Sequence, residues 1–116
     1  ENIGNMILDE ARLREITRNK PALMATLAKL FLEEFPSMVD GIEECYRTAD
    51  RQAVSHAVHR MKSALGNFAT REFYDAFATL ESSAMTQDLD AWHLDWQRKR
   101  EKLDQLCQEL GQVAEG

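Results

Sequence analysis

The chain has 116 residues and a formal charge of −6, which is the size of one domain with a single hydrophobic core. Only five glycines and two prolines interrupt it, so a mostly helical fold is expected. The excess of acidic over basic residues argues against a nucleic-acid-binding surface, which needs a basic patch. No run approaches the roughly 18 apolar residues of a membrane span, and no secretory signal is visible. The first residue is Glu1 rather than Met, which favours a fragment of a longer protein.

A short first helix is predicted from about Glu10 to Arg18. Asp9 precedes it, and its carboxylate can accept a hydrogen bond from a free backbone N–H of the first turn. Leu13 and Ile16 lie three residues apart, so both are expected to face inward.

A long second helix is predicted to begin at Pro21, where the missing N–H of proline does no harm. Its apolar residues recur at helical spacing and form one stripe, made of Leu27, Phe31, Phe35, Met38, Ile42, Cys45 and Ala49. Pro36 interrupts this pattern and removes one helical hydrogen bond, so it is expected to kink the helix. A break into two helices is the alternative.

Three further helices are predicted, each opened by a side chain that can cap its first turn. Asp50 opens the third helix, which should end near Asn67; Thr70 opens the fourth, and Asp88 or Asp90 opens the last. Helical spacing gives the inward positions. They are Val54, Val58, Met61, Leu65 and Phe68 in the third helix, Phe73, Phe77, Leu80 and Ala84 in the fourth, and Trp92, Trp96, Leu103, Leu106, Leu110 and Val113 in the last.

The expected fold is all-α. Four long amphipathic helices with short connections predict an up-and-down antiparallel four-helix bundle, with the short additional N-terminal helix covering one end. Gly111 is expected to fray the end of the last helix. We expect residues 1–116 to form a single domain.

The third helix carries the side chains of greatest chemical interest. At 100° per residue, His59 lies about 140° from Val54, which is on the buried stripe, and Lys62 lies at about 80°. The imidazole therefore projects away from the core, with an ammonium group one turn on and the small residues Ser63 and Gly66 nearby. A neutral imidazole is a competent nucleophile toward an acyl phosphate, and a nearby ammonium can stabilise the charge of a transferring phosphoryl group.

The sequence His59-x-x-Lys62 followed by small residues resembles the His-x-x-Lys-Gly motif of the histidine phosphotransfer (HPt) domain. Ser63 stands where the family usually has Gly, Gly66 keeps a small residue on the reactive face, and Ala69 replaces another common Gly. The next helix of the family is matched by Phe73, Phe77, Leu80 and Glu81. The length and the helix order fit the family as well.

The resemblance implies a phosphoryl carrier in a multistep two-component phosphorelay, without kinase or ATP-binding activity of its own. His59 would accept a phosphoryl group through Nε2 from a receiver-domain aspartate and pass it to a response-regulator aspartate. Lys62 would orient this group or stabilise its charge, and Ser63 and Gly66 would leave room for the partner protein. No cofactor is expected in this domain, and Mg²⁺ would be supplied by the partner receiver.

The resemblance also implies partners and a cellular setting. We expect receiver domains of a hybrid sensor kinase and of a response regulator as partners, with no nucleic acid, no direct membrane contact and a monomeric isolated domain. The missing start Met and the polar last residues favour the C-terminal module of a hybrid sensor histidine kinase over a free-standing protein. A cytoplasmic location is expected, and tethering to a membrane-bound sensor kinase stays open.

The other two histidines are interpreted as neither phosphoacceptors nor metal ligands. His56 lies one turn before His59, points away from the core and has no lysine three residues later, so it is expected on the surface. His93 follows Asp90 by three residues, but a di-iron site needs two carboxylate-x-x-His helices and further carboxylates. Asp90 is therefore interpreted as a helix-start charge that interacts with the helix dipole.

A non-catalytic helical interaction module that docks a signalling partner is the alternative function, and a metal-binding bundle ranks third.

Cys45 and Cys107 are interpreted as buried free thiols rather than a disulfide or redox pair, as expected in a reducing compartment. The acidic pairs Glu33-Glu34 and Glu43-Glu44 are expected on solvated helix faces.

Overall fold

The computed structural model describes residues 6–116, which form five helices. They are α1 (Glu10–Ile16), α2 (Pro21–Arg47), α3 (Arg51–Leu65), α4 (Arg71–Ser83) and α5 (Leu89–Glu115). Helix α2 packs against α3 and α5, and α4 packs against α3 and α5. Short connections make neighbouring helices antiparallel, so the predicted all-α, up-and-down bundle with an additional N-terminal helix is confirmed. Residues 1–5 of the predicted domain lie outside the described residues.

The predicted capping residues open their helices. Asp9, Asp50 and Thr70 each accept a hydrogen bond from the backbone N–H three residues later. At the start of α5 this role falls to Asp88, and Asp90 lies in the first turn. Each cap satisfies an N–H that has no partner within its own helix.

Helix α2 continues through Pro36 for 27 residues, so the alternative of two separate helices is wrong. It ends at Arg47, and the expected continuation of its apolar stripe to Ala49 is also wrong. Ala49 is exposed and has a φ of 56°, the left-handed conformation that reverses the chain toward Asp50.

Helix α1 is shorter than predicted and ends at Ile16. Arg18 and Asn19 follow with φ angles of 55° and 59°, and two left-handed residues stop an α-helix. The expectation that Ile16 faces inward is wrong, because its exposed fraction is 38%. Thr17 is buried instead, and its hydroxyl donates to the carbonyl of Leu13 at 2.7 Å.

The end of α5 is more regular than predicted, because the helix passes through Gly111 and continues to Glu115. Leu110 is fully buried, and Val113 packs against the core. These contacts outweigh the low helix propensity of one glycine. In the described part of the chain, none of the helices combines the length and the apolar character needed to cross a membrane.

The buried face of α3 determines which of its side chains reach solvent. Val54, Val58, Met61 and Leu65 are fully buried, as the helical spacing predicts. His59 lies on the opposite, exposed side.

Residues 6–9 run along the connection between α3 and α4 and hold it in place by backbone hydrogen bonds. The N–H of Asp9 donates to the carbonyl of Phe68 at 2.7 Å, and the N–H of Thr70 donates to the carbonyl of Ile7 at 2.9 Å. The carboxylate of Glu109 on α5 accepts from the N–H of Ile7 at 3.1 Å. The end of the histidine-bearing helix is therefore held by both the N-terminal segment and the bundle.

Candidate functional site

His59 is an exposed imidazole with one anchored nitrogen. Its side chain is 52% exposed, and its Nδ1 lies 3.0 Å from Oε2 of Glu81 on α4. An ionised carboxylate only accepts hydrogen bonds, so this contact assigns the proton of the neutral ring to Nδ1. Nε2 then carries the free lone pair and has no hydrogen bond to the described residues.

Lys62 shares the same carboxylate. Its Nζ lies 2.8 Å from Oε1 of Glu81, and its side chain is only 17% exposed. The hydrogen bond to Glu81 raises the pKa of Lys62, although partial burial acts in the opposite direction. The ammonium group also lies 5.7 Å from the ring centroid of Tyr74, which is within the range of a cation–π contact.

Glu81 joins the two predicted site residues, but the sequence pattern alone did not identify it as part of the site. Burial by itself would raise its pKa, but the hydrogen bonds from Lys62 and His59 and the positive charges of these groups together outweigh burial and lower the pKa. The residue follows the buried Leu80 and lies one turn after the buried Phe77. An acidic residue at the edge of an apolar stripe is the signal that could have indicated a polar partner on the neighbouring helix.

Ser63 and Gly66 have different surroundings, although both were predicted to leave room for a partner. Ser63 is exposed. Gly66 lies beside the ring of Tyr74, because a Cβ added there would be 3.4 Å from Cε1 of that ring. Its carbonyl accepts a hydrogen bond from Nε of Arg12 at 2.7 Å.

His56 is exposed and lines an open groove together with His59, Glu81 and Met85. Its imidazole makes no hydrogen bond to any of residues 6–116. Its position agrees with the surface location predicted from the helical spacing.

Helix α3 is positively charged within an acidic molecule. It contains Arg51, Arg60 and Lys62 and lacks acidic residues, whereas each of the other four helices contains Asp or Glu. The whole chain has a charge of −6, so α3 differs in the sign of its own charge from the rest of the molecule, although Arg60 pairs with Glu34 and Lys62 with Glu81.

The comparison with known families agrees with this geometry. A family model described as Hpt domain matches residues 26–116, which include His59, Lys62 and Glu81. The chain belongs to the Hpt domain family. Neither the curated proteins nor the solved structures include a match to it. Hpt domains carry out histidine phosphotransfer in phosphorelays together with receiver domains, and the recognition made from the sequence is thus confirmed.

This Hpt domain has a second polar cluster, which joins α2 to α5. Nε2 of His93 lies 2.9 Å from Oε1 of Glu43, and Nε1 of Trp96 donates to Oε2 of Glu43 at 2.6 Å. The His93 ring stacks on Tyr46 at 3.9 Å, and the Tyr46 hydroxyl donates to Asp90 at 2.7 Å. The interpretation of Glu43 as a solvated residue is therefore wrong. Asp90 has a specific partner beyond the helix dipole.

The two cysteines of the Hpt domain are free and partly buried, in agreement with the thiol interpretation. Burial raises the pKa of Cys107 to about 11, so its thiol is protonated at neutral pH. Among residues 6–116, no three His, Cys, Asp or Glu side chains lie together in a way that could hold a metal ion.

Proposed function

We propose that His59 is the phosphoacceptor of this Hpt domain. It receives the phosphoryl group from an aspartyl phosphate of a receiver domain and gives it to the aspartate of a response regulator. The observation that carries the proposal is the exposed imidazole whose Nδ1 is held by Glu81, with Nε2 left as the nucleophilic nitrogen. Because Hpt domains occur as C-terminal modules of hybrid sensor kinases, we extend the proposal to such a cytoplasmic kinase as the source of the donor receiver.

The first transfer follows from the assigned position of the ring proton. The Nε2 lone pair attacks phosphorus, and the bond between phosphorus and the acyl oxygen breaks, with its electron pair leaving on the receiver aspartate. The imidazole becomes a cation that retains its Nδ1 proton, and the Glu81 carboxylate 3.0 Å away compensates the new charge. No proton has to move during the step.

Onward transfer is the reverse of the same chemistry. An aspartate oxygen of the response regulator attacks phosphorus, and the electron pair of the N–P bond returns to Nε2. Because Nδ1 is still protonated, the leaving group is a neutral imidazole rather than an imidazolate. Glu81 acts through His59 in both directions and is therefore a positioning residue.

Lys62 supplies positive charge for the phosphoryl oxygens. It lies one turn after His59 on the same side of α3, and its ammonium group is already held near the ring through Glu81. A Mg²⁺ ion bound by the receiver supplies further neutralisation of the phosphoryl charge. In this proposal the Hpt domain contributes the nucleophile and one ammonium group, both on rigid helices.

The surface around His59 suits a receiver domain as partner. The basic side chains of α3 complement the acidic pocket in which a receiver holds its aspartate. A second groove, between α2 and α3, is lined in part by Leu27, Leu30, Ala64 and Asn67. Leu30 is 52% exposed, so this groove offers an apolar side chain to a protein partner.

The test uses a receiver that carries a labelled aspartyl phosphate, with Mg²⁺, and compares the wild-type domain with His59→Gln and His56→Gln variants. His56 lies in the same groove and is a matched control. We expect an acid-labile, base-stable label that disappears only in the His59→Gln variant. Loss of label in the His56→Gln variant alone would assign the phosphoacceptor to His56. No label with any of several receivers would favour a docking module without phosphotransfer.

A further inference from the structure

The Lys62 side chain is unusually buried for a lysine beside a solvent-facing site. Lysine has a long, flexible stem, and its ammonium group is strongly hydrated, so an unrestrained Lys62 would extend into water. Here the side chain is only 17% exposed. Two groups of α4 hold its ammonium group, namely the Glu81 carboxylate at 2.8 Å and the Tyr74 ring at 5.7 Å.

These two groups occupy one face of α4. Tyr74, Ala78 and Glu81 follow one another at steps of four and three residues, which places them on the same side of the helix. Both outer members contact Lys62. The small side chain of Ala78 lies between them on that face.

Glu81 meets a competitor for Lys62 during the proposed reaction. Its carboxylate also bonds to Nδ1 of His59, which becomes cationic when Nε2 is phosphorylated. At that stage the phosphoryl oxygens compete with Glu81 for the Lys62 ammonium group. The face of an aromatic ring attracts an ammonium group without being an anion that competes for it with the phosphoryl group. The Tyr74 contact can therefore persist while the ammonium group changes its anionic partner.

The Tyr74 ring lies against Gly66, at a position where only a small side chain fits. A Cβ at Gly66 would be 3.4 Å from Cε1 of Tyr74 and 3.8 Å from Cδ1. These are ordinary van der Waals distances, so an alanine would fit at this position. A larger, branched side chain would displace the ring from Lys62.

From this arrangement we infer that Tyr74 is a positioning residue that holds the Lys62 ammonium group on the His59 side of α3. Gly66 makes room for the Tyr74 ring. The inference rests on the proposed function, since it gives Lys62 a role in transfer of the phosphoryl group.

The test compares Tyr74→Phe with Tyr74→Leu, because phenylalanine keeps the aromatic face and leucine removes it. In single-turnover transfer from a phosphorylated receiver, we expect Tyr74→Phe to match the wild type and Tyr74→Leu to be about two- to five-fold slower. A spectroscopic readout accompanies the rates. The ring-current shift of the Lys62 side-chain protons in NMR spectra should persist in Tyr74→Phe and disappear in Tyr74→Leu.

The same comparison in a Lys62→Ala background separates positioning from a general effect on folding. There Tyr74→Leu should cause no further slowing. Equal slowing in both backgrounds, or a Tyr74→Phe variant as slow as Tyr74→Leu, would overturn the inference. If Tyr74→Leu does not fold, Gly66→Val displaces the ring from the other side, with Gly66→Ala as its tolerated control. Failure of the proposed function is distinguishable, because then either the His59→Gln variant would still become labelled or the wild-type domain would not become labelled at all.

Discussion

The Glu81 carboxylate has two partners whose electrostatic surroundings would change during the proposed phosphotransfer. In the unphosphorylated domain it bonds to Nζ of Lys62 at 2.8 Å and to Nδ1 of His59 at 3.0 Å. In the proposed transfer, phosphorylation at Nε2 would add positive charge to the ring and bring anionic oxygens close to Lys62. The carboxylate can then balance the positive charge of the imidazole ring, while the ammonium group binds the phosphoryl oxygens. Glu81 thus holds both His59 and Lys62 in position, and no proton has to move during the transfer.

At the scale of single residues, we predict that Lys62→Ala slows phosphoryl transfer by about ten-fold or more. A hydrogen bond to a charged group contributes roughly 1.5–3 kcal/mol, and about 1.4 kcal/mol corresponds to a factor of ten. The bundle should remain folded, because Lys62 lies outside the buried stripe of α3. Single-turnover kinetics measure the transfer, and circular dichroism checks the fold. Transfer at the wild-type rate would show that Lys62 has no part in the reaction.

The residues of the site differ in how far the sequence could reveal them. His59 and Lys62 belong to one helix, so their common side follows from helical geometry alone. Glu81 and Tyr74 belong to α4, and their contacts with Lys62 depend on how α3 and α4 pack along their lengths. Helical spacing does not specify that register. The sequence therefore placed His59 and Lys62 on one side of α3 but did not identify the side chains that hold them.

At the scale of helices, the link between α2 and α5 depends on Glu43. Its carboxylate accepts the indole N–H of Trp96 and bonds to His93. Burial alone would raise the pKa of Glu43, but the hydrogen bonds from Trp96 and His93 outweigh burial and lower it. The fully buried Trp96 would lose its acceptor if Glu43 were removed. An unpaired donor of this kind makes the link costly to break.

We predict that Glu43→Gln lowers the free energy of unfolding near pH 7 by about 1–3 kcal/mol, whereas Glu44→Gln changes it by less than about 0.5 kcal/mol. Glu44 is the matched control, because it is exposed and pairs only with Arg47 on the surface. Urea unfolding followed by circular dichroism measures both variants. An equal loss in the two variants would contradict the structural role of Glu43.

The same variant gives a prediction about pH. The pKa of Glu43 is lowered from 4.5 in the folded domain, so its contribution to stability is present above pH 4.5 and is lost as the pH falls through the lowered value. The difference in unfolding free energy between the wild type and Glu43→Gln should therefore narrow as the pH decreases below about 4. A difference that stays constant down to about pH 2 would show that the ionised carboxylate contributes nothing.

Helix starts could be predicted from the sequence more accurately than helix ends. Asp9, Asp50 and Thr70 cap their helices through side-chain oxygens, and this chemistry is visible in the residue types. The turns after α1 and α2 instead use left-handed residues that are not glycine, including Arg18 and Ala49. Their conformation depends on how the next helix packs, and residue type does not indicate it.

At the scale of the whole molecule, the distribution of charge favours one orientation in which an acidic partner approaches the domain. The net charge of −6 repels an acidic partner from most directions. Arg60 and Lys62 lie close to His59 along α3, and we expect them to attract the same partner locally. An acidic receiver pocket should therefore meet the domain most often at the face that carries His59. This steering depends on where the positive charges are, not on their number.

Two arginines allow the effect of where a positive charge lies to be separated from the effect of the net charge. Arg60 on α3 pairs with Glu34 at 3.4 Å, and Arg14 on α1 pairs with Glu10 at 3.8 Å, and both arginines are exposed. Arg60→Gln and Arg14→Gln remove the same charge and leave one glutamate unpaired. At low ionic strength we expect Arg60→Gln to slow association with the receiver by about two-fold or more and Arg14→Gln to have little effect.

Stopped-flow association rates, measured over a range of salt concentrations, check this prediction. The difference between the variants should vanish near 1 M salt, where the screening length falls to about 3 Å. Equal slowing by both substitutions would mean that net charge alone controls the encounter. A difference that persists at high salt would mean that Arg60 acts through direct contact in the complex. Only slowing that is specific to Arg60 and removed by salt supports steering by the α3 face.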